Sequence, residues 1–369
     1  VGKLVTTGLR VGSNYLKFYG KNVLQGEPDR EALDEANAKD IYDGLKTLRG
    51  SALKVAQMLS MEKNLLPKAY VEQFGLAQFS VPPLSGPLVT RLIRKYLGSS
   101  PEVLFDTFTT QSINAASIGQ VHRATKNGKK LAVKIQYPGV ANSIGSDLAI
   151  VKPIAERMFN LRGKATAKYF KEVEERLLEE TDYTIELENS RFFASQCAHI
   201  SNLIFPKYYP EWSNQKILTM DWMVGEHLSE YCSKNDNSQK VNDKLGQTLW
   251  DFYMFQMHQL KKVQADPHPG NFLVSEHHQL VAIDFGCIKI IPEDFYVPYF
   301  ELSKPQNIAD DLKFESLLYT LEILKQEDNS KEKEFFTSLF KEMMLLFTKP
   351  FHQETFDFGK DAFREEIIK

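Results

Sequence analysis

The sequence predicts an α+β fold in two lobes, preceded by a helical region. The chain has 369 residues, which is enough for two lobes with separate hydrophobic cores. Residues 1–80 contain no convincing strand, whereas the hydrophobic period changes to two between Ile113 and Gln136. From Pro292 onward the pattern is again mostly helical. Strands between helical segments are the basis of the predicted fold class.

Composition excludes several classes of protein. The chain has 45 basic and 48 acidic residues and a net charge of −3, so nucleic acid is not an expected partner. Cys197, Cys232 and Cys287 are widely separated and show neither metal-ligand spacing nor a disulfide framework, which favours a reducing compartment. No apolar run approaches the roughly 18 residues of a spanning helix. We therefore expect no transmembrane segment, and a location in the cytoplasm or an organelle matrix.

Residues 1–80 are predicted to form a separate helical region. Apolar residues recur there at spacings of three and four, which places them on one helix face. They are Ile41, Leu45, Leu48, Ala52, Val55 and Leu59. The stretch "FSVPPLSGP" interrupts the helical pattern and is the predicted linker into the next domain.

Residues 113–134 read "INAASIGQVHRATKNGKKLAVK" and predict a β-hairpin. Two alternating segments flank the turn "KNGKK", and the second contains Lys134. The run "NAAS" before the first strand consists of small residues, which indicates that something approaches the backbone closely at this loop. The same alternation marks a further short β-rich run in "KILTMDWMVGEHL".

Helical patterns account for most of the remaining chain. Lys168–Gln196 is a glutamate-rich helix-compatible stretch, and Lys240–Leu260 has helical period. After it, two short apolar segments, "NFLV" and "LVAIDFG", flank the polar turn "SEHHQ". We predict domains at 81–224 and 225–369, the second mainly helical.

The motif "ADPHPGN" followed by "AIDFG" predicts a magnesium–phosphate site. Asp266 and Asn271 lie five positions apart in one loop, and Asp284 follows a short hairpin. Such oxygen ligands suit Mg²⁺, which completes its octahedron with substrate phosphates and water. Protein kinases use this order: a catalytic Asp, a metal-binding Asn five residues on, and the metal-binding Asp of an Asp-Phe-Gly motif.

Each of these pieces also has an ordinary interpretation. Asp, Pro, Gly and Asn are turn residues for local reasons, "DFG" could end a strand, and an isolated strand lysine is usually a solvated edge residue. The combination favours chemistry, because Lys134 in "LAVK" matches the phosphate-contacting lysine of the kinase Val-Ala-Ile-Lys pattern.

From about Leu48 to Phe295 the sequence resembles the UbiB family of atypical protein-kinase-like proteins, also called aarF-domain kinases. The resemblance rests on "LRGSALKVAQMLS", "NAASIGQVH", "LAVKIQYPGV", "EETDYTIELEN", "ADPHPGNF" and "AIDFG". It implies a two-lobed protein-kinase-like fold with an N-terminal helical extension covering the cleft where a protein substrate would otherwise bind. Residues 81–224 would be the N-lobe with inserted helices, and 225–369 the C-lobe with the catalytic loop.

The family's Lys-x-Gly-Gln motif falls on Lys54 to Gln57, with Ala56 where glycine is expected. Lys54 and Gln57 project from the polar side of the predicted helix, which is an ordinary solvated face unless a partner covers it. The resemblance implies that this face is held against the cleft. Alanine suits a helix better than glycine by about 1 kcal/mol, but its methyl group could crowd a close contact.

The segment "EETDYTIE" matches the family's Glu-x-Asp motif at Glu180 and Asp182. A kinase core needs one helical glutamate to orient the strand lysine through an ion pair. We assign Glu186 to Lys134, which leaves Glu180 and Asp182 for the Lys54/Gln57 face or a metal. The assignment between Glu180 and Glu186 stays open at this point.

The resemblance also implies an ATP-binding surface. "NAAS" becomes the lid of the nucleotide site, with Asn114 where the family usually has alanine. The backbone of Asp221 to Met223 would contact adenine. The full implied set of cofactor-binding residues is Ala115, Ala116, Ser117, Val121, Ala132, Lys134, Met220, Asp221, Trp222 and Met223.

The function implied is that of a Mg²⁺- and ATP-dependent atypical kinase or ATPase. It would support isoprenoid-quinone biosynthesis or membrane-lipid homeostasis rather than phosphorylate proteins. The acceptor would be water, a lipid or a quinone precursor, and the partners a peripheral membrane surface or quinone-biosynthesis proteins. Two alternatives remain: a nucleotide-binding pseudokinase scaffold, and a small-molecule kinase of the aminoglycoside or choline type, which explains neither "LKVAQ" nor "NAAS".

Overall fold

The computed structural model describes residues 33–40, 83–116, 118–158, 164–234 and 238–368. Contacts divide the chain into two compact units. The first contains the described residues up to Phe255 together with Gln264–Ile288, and the second contains Gln256–Val263 with the residues from Lys289 onward. The predicted N-terminal extension lies outside the described residues except for 33–40, which form a helix, α1.

Among the described residues, the first unit contains seven further α-helices and all or part of eleven strands, of which the last is given with the second unit below. Its helices are α2 (Gly86–Leu97), α3 (Pro101–Leu104), α4 (Val140–Met158), α5 (Lys164–Glu180), α6 (Tyr183–Gln196), α7 (Leu228–Cys232) and α8 (Gln239–Phe255). Its strands are β1 (Thr107–Phe108), β2 (Asn114–Ala116), β3 (Gly119–Lys126), β4 (Lys129–Gln136), β5 (Leu203–Ile204), β6 (Ile217–Asp221), β7 (Glu226–His227), β8 (Lys262–Gln264), β9 (Phe272–Val274) and β10 (Leu280–Ala282).

A five-stranded sheet has the order β1-β3-β4-β6, with β2 also paired to β3. The central hairpin of β3 and β4 turns at Asn127 and Gly128, whose φ values of 51° and 75° are the left-handed values that a two-residue hairpin requires. The predicted hairpin is therefore confirmed. A second sheet has the order β5-β10-β9-β7.

The run "NAAS" differs from its prediction as a loop. Asn114–Ala116 form β2, which pairs antiparallel with β3, and Ala116 lies opposite Gly119. Small side chains suit this position, because the chain reverses between Ala116 and Gly119 within two residues.

The predicted helix at Lys168–Gln196 is divided into two helices by Asp182. Asp182 has an extended backbone and its carboxylate accepts the Thr184 amide, so it caps the start of α6. Periodicity alone did not reveal this break because apolar residues continue on both sides of it. The predicted helix at Lys240–Leu260 corresponds to α8 with its C-terminal π-turn, Gln256–Leu260.

Strand β4 is buried on both faces, and the alternation of its side chains determines on which side of the sheet each one lies. Leu131, Val133 and Ile135 point to one side, into a cluster with Val89 and Ile93 of α2. The intervening residues point to the other side, where Ala132 joins a second cluster that includes Tyr183 of α6 and Met220 of β6. Because side chains alternate along a strand, Lys134 lies on this second side.

The described part of the second unit is helical apart from the first two residues of β8 and most of β11 (Ile288–Ile290), which begins in the first unit. Its helices are α9 (Glu293–Leu302), α10 (Pro305–Ala309), α11 (Asp311–Thr320), α12 (Ser330–Thr348) and α13 (Asp361–Ile368). Helices α9 to α12 share a buried cluster that includes Leu302, Phe314, Leu318 and Met344. Within the part of the chain that the structure describes, no helix is both long and apolar enough to cross a membrane.

Candidate active site

A cavity of about 280 Å³ lies within the first unit and brings together residues that are distant in sequence. Its wall includes Ala115 and Ala116 of β2, Lys134 of β4, and residues of the loop that begins at Asp266. Glu180, Glu186, Asn271 and Asp284 also line it. One cavity therefore contains the residues to which the sequence assigned phosphate and metal binding.

Lys134 connects three elements at this cavity. Its Nζ donates to Glu186 Oε1 at 2.8 Å and Oε2 at 3.0 Å, and to Asp284 Oδ2 at 3.1 Å. The side chains of Lys134 and Glu186 are 7% and 4% exposed, so this ion pair is shielded from solvent. The ion pair expected between Lys134 and Glu186 is present, and Glu180 lines the cavity one turn before α6 begins.

Burial and charge act against each other in this cluster. Burial alone lowers the pKa of Lys134, but the carboxylates of Asp284 and Glu186 outweigh burial and hold the pKa well above its usual value. Burial raises the pKa of Glu186; Lys134 opposes the rise and the Asp284 charge adds to it. Lys134 is consequently a permanent cation that two carboxylates share, and a bound anion would compete with them for it.

The loop after Asp266 is held by internal hydrogen bonds. Pro269–Asn271 form a 3₁₀ turn, which is capped where His268 Nδ1 accepts the Gly270 amide at 3.0 Å. Asn271 Nδ2 donates to the Asp266 carbonyl at 2.9 Å. This bond fixes the amide plane of Asn271, and its side-chain oxygen remains available as a ligand atom.

Asp284 is held by hydrogen bonds to its carboxylate and to its backbone carbonyl. Its Oδ1 accepts the Gly286 amide at 2.9 Å, and its carbonyl accepts Gln264 Nε2 at 2.5 Å. Gln264 is 1% exposed, and its Oε1 accepts the Tyr253 hydroxyl at 3.0 Å. Gln264 thus links the strand before Asp266 to Asp284, and it stands two residues before Asp266, where kinases carry the His of His-Arg-Asp.

Phe285 joins this site to α6. Its ring is fully buried and stacks on Phe193 with ring centroids 5.0 Å apart and an interplanar angle of 17°. Because α6 also carries Glu186, the position of Asp284 and the position of the Lys134 partner depend on the same helix.

The oxygen-rich donor set fits a magnesium ion. The cavity wall offers the carboxylates of Asp266 and Asp284 and the amide of Asn271. The described residues contain no group of three or more His, Cys, Asp or Glu that could hold a metal by themselves. Oxygen ligands of this kind suit Mg²⁺, which takes few protein ligands and relies on phosphates and water.

The cavity wall also includes apolar residues, which agree only in part with the sequence-based expectation. Met220, Ile118 and Val121 line the cavity, but Ala132 and the three residues Asp221, Trp222 and Met223 do not. The Asp221 amide donates to the Lys207 carbonyl and the Trp222 amide to the Lys130 carbonyl. Both amides are used within the sheet, so neither can bind adenine as expected.

Three predicted residues cannot be placed. Lys54, Gln57 and Ser117 lie outside the described residues. Asp182 is described, and it caps α6 and accepts a hydrogen bond from Gln215 at 3.1 Å instead of lining the cavity.

Sequence reasoning missed several residues of the site. Tyr183, His227 and Glu230 line the cavity, and Gln264 supports it from behind. Tyr183 stood within the quoted segment "EETDYTIE", directly after the capping Asp182, but no spacing rule distinguished it. The other three lie in segments whose local pattern carries no chemical signal.

Comparison with known proteins identifies related chains. A family model described as the ABC1 atypical kinase-like domain matches residues 76–313. A chloroplastic aarF domain-containing protein kinase of Arabidopsis thaliana is 30% identical over 286 residues, covering 76% of this chain and 40% of that protein. The mitochondrial atypical kinase COQ8B of Danio rerio is 28% identical over 343 residues, covering 92% of this chain and 54% of that protein.

A solved structure shows the same fold. The structure of Rv3197 with erythromycin, from Mycobacterium tuberculosis, superimposes with a TM-score of 0.61 at 26% identity. The match covers 91% of this chain and 85% of that chain. The curated relatives are longer than this chain, which spans 40% and 54% of the two described above.

Proposed function

The chain belongs to the UbiB family of ABC1 atypical kinase-like proteins, and from this membership and the geometry of the cleft we propose that it is a Mg²⁺- and ATP-dependent phosphotransferase or ATPase. The observation that carries the proposal is the position of Lys134. It contacts Asp284 from 150 residues away in a cavity that also contains Asp266 and Asn271.

Each polar residue has a distinct part in this proposal. Lys134 binds the phosphates, and Glu186 keeps its ammonium group in place. Asn271 and Asp284 hold Mg²⁺, which when bound supplies charge neutralisation at the phosphates. Asp266 orients the acceptor or takes its proton, as the corresponding aspartate of a kinase catalytic loop does.

The apolar residues of the cavity wall suit a nucleobase. They include Met220 and Val121, and the chain continues beyond the end of β6 to Met223. Since the amides of Asp221 and Trp222 are occupied, an adenine contact through a backbone amide falls to Met223.

The acceptor and setting extend the proposal. We propose that the phosphoryl acceptor is water, a lipid or a quinone precursor. The activity would then support isoprenoid-quinone biosynthesis or membrane-lipid homeostasis. The names of two relatives, an atypical kinase of mitochondria and an aarF-domain kinase of chloroplasts, support an organelle setting, with contact at a membrane surface or with quinone-biosynthesis proteins.

The decisive experiment measures ADP release from ATP with and without Mg²⁺, for the wild type and Asp284→Asn. Anionic liposomes and phenolic quinone precursors are each added to separate reactions. We expect Mg²⁺-dependent release by the wild type, stimulation by one of the additives, and loss of at least about tenfold in Asp284→Asn, since a metal-bridging carboxylate contributes to transition-state charge stabilisation.

Other outcomes identify the alternatives. ATP binding without turnover under any condition would contradict an enzyme and indicate a pseudokinase scaffold. Phosphate transfer to choline or an aminoglycoside, both included as acceptors, would indicate a small-molecule kinase instead.

A further inference from the structure

Tyr183 is a buried cavity residue to which neither the sequence motifs nor the proposed mechanism assigns a task. It is the first residue of α6, directly after the capping Asp182, and 1% of its surface is exposed. It lines the same cavity as Lys134 and Asp284. Its hydroxyl oxygen is buried and has no hydrogen-bond partner among the residues that the structure describes.

The ring and the backbone of Tyr183 are well anchored without the hydroxyl. The Tyr183 amide donates to the Gln215 carbonyl at 3.0 Å, and the ring packs in a cluster with Ile118 and Leu187. A phenylalanine would make the same contacts. A buried hydroxyl with no acceptor carries a desolvation penalty that nothing offsets, so packing gives no reason for tyrosine here.

The surroundings of the hydroxyl indicate which acceptor is missing. Lys134 Nζ lies 5.0 Å from the centroid of the Tyr183 ring. A Cβ placed on Gly119, where β3 begins, would lie 2.8 Å from the hydroxyl, so the hydroxyl is directly beneath the turn between β2 and β3. The Tyr183 side chain therefore lies close both to the phosphate-binding lysine and to the start of β3.

The hydroxyl stays a donor throughout the physiological range. Burial raises the pKa of Tyr183 far above its usual value; Lys134 opposes the rise, and the Glu186 and Asp284 charges add to it. A neutral O–H beside a buried ammonium group suits an anionic acceptor, because a hydrogen bond to a charged group is stronger than one between neutral groups.

We propose that the Tyr183 hydroxyl donates a hydrogen bond to a phosphate oxygen of the bound nucleotide. This inference rests on the proposed function and adds to it a phosphate-binding residue on α6, the helix that carries Glu186. The nucleotide supplies the acceptor that the Tyr183 hydroxyl does not find among the described residues, and Tyr183 and Lys134 then hold the phosphates together.

The test compares Tyr183→Phe with the wild type by calorimetric titration of ATP, ADP and adenosine in the presence of Mg²⁺. We expect the dissociation constants of ATP and ADP to rise about tenfold, in the range of one hydrogen bond to a charged group, and that of adenosine to stay unchanged. The melting temperature without ligand should be unchanged or higher, because the substitution removes a buried polar group with no partner.

Tyr137→Phe is the matched control. Tyr137 belongs to the same cluster and its buried hydroxyl also has no partner among the described residues, but it does not line the cavity. Its substitution should leave all three dissociation constants unchanged.

Each of the other possible outcomes overturns this inference. Unchanged ATP affinity in Tyr183→Phe, with a wild type that binds ATP, overturns this inference and leaves the proposed function intact. An equal loss for adenosine, or a lower melting temperature without ligand, also overturns it, because the hydroxyl would then serve the base or the fold. A wild type that binds no nucleotide overturns the proposed function as well.

Discussion

Lys134 shows how one side chain depends on residues far along the chain. Its carboxylate partners lie 52 and 150 positions away, on α6 and after β10. Two carboxylates share one ammonium group, and burial favours the uncharged form of Glu186. The cluster is therefore stable only while its cation remains in place.

Substitution of Lys134 by Met should destabilise the protein in a pH-dependent way. Removing one partner of a buried ion pair costs about 3–5 kcal/mol of unfolding free energy. In the wild type, burial already raises the pKa of Glu186 to about 7, and loss of the cation removes the charge that opposes this rise. The contribution of Glu186 to stability is then present at low pH and is lost as the pH rises. Urea unfolding at pH 5 and pH 8 should show the larger loss at pH 8.

A double variant is the control for this prediction. Adding Glu186→Gln to Lys134→Met removes one of the two uncompensated carboxylates, so it should recover part of the stability at pH 8 and less at pH 5. An equal loss at both pH values in the single variant would contradict the account of the cluster.

At the scale of elements, the turn between β2 and β3 depends on close backbone contact. Ala116 lies opposite Gly119, and the Ile118 carbonyl accepts the Tyr137 amide at 2.9 Å. A Cβ on Gly119 would lie 2.4 Å from the Ile135 carbonyl oxygen in the paired strand. Because that oxygen belongs to the backbone of a central strand, the strand itself would have to move.

Gly119→Ala should therefore destabilise the first unit and weaken nucleotide binding. Forcing an extra methyl into a well-packed region typically costs about 1–3 kcal/mol, and the displaced turn forms part of the cavity wall. Thermal unfolding and ATP titration should both report the change.

Gly246→Ala is the matched glycine control. It lies within α8, and a Cβ there would meet no atom within 4 Å. The higher helix propensity of alanine should make this variant more stable by up to about 1 kcal/mol. Equal effects of the two substitutions would contradict the close-contact argument.

At the scale of the whole molecule, the candidate site belongs to a single unit. All residues that line the cavity lie in the first unit, which combines the five-stranded sheet with the segment Gln264–Ile288. The second unit has its own buried cluster around Phe314 and Leu318. We therefore expect ligand binding to increase local stability in the first unit and to leave the second unit nearly unchanged.

Hydrogen exchange with and without Mg²⁺ and ATP tests this expectation. A ligand stabilises the residues that it contacts, by about 2.7 kcal/mol at a concentration one hundred times its dissociation constant. Exchange should slow in residues 114–136 and 264–288, and residues 311–348 provide an internal control with little change. Asp284→Asn should remove the Mg²⁺-dependent part of the protection, and equal slowing in residues 311–348 would contradict confinement to one unit.

Much of the site could be predicted because its signals are local. Asp266, Asn271 and Asp284 are close in sequence, and turn and strand patterns position them without reference to the rest of the chain. The hairpin of β3 and β4 was predictable for the same reason, since Asn127 and Gly128 favour the turn and alternation places Lys134. The resemblance to the family then left Glu180 and Glu186 as the candidate partners of Lys134, with Glu186 preferred and the choice open.

The remaining residues depended on contacts between distant segments. Nothing near Gln264 in sequence indicates that its amide reaches the Asp284 carbonyl, and nothing in "TMDWMVG" shows that Lys207 and Lys130 occupy the two amides expected to bind adenine. The small residues "NAA" form a strand because β3 offers free pairing positions, which a local reading of composition cannot detect.

The sequence by itself determined the order of the chemical groups, the hairpin that carries Lys134, and the oxygen-ligand motif, because spacing and periodicity act over a few residues. The tertiary structure alone decided that Glu186 pairs with Lys134, that Asp182 serves as a helix cap, and that Tyr183 meets the cavity. These outcomes depend on which faces of separate elements meet. The burial of apolar surface across the whole unit determines those contacts, and local preferences do not.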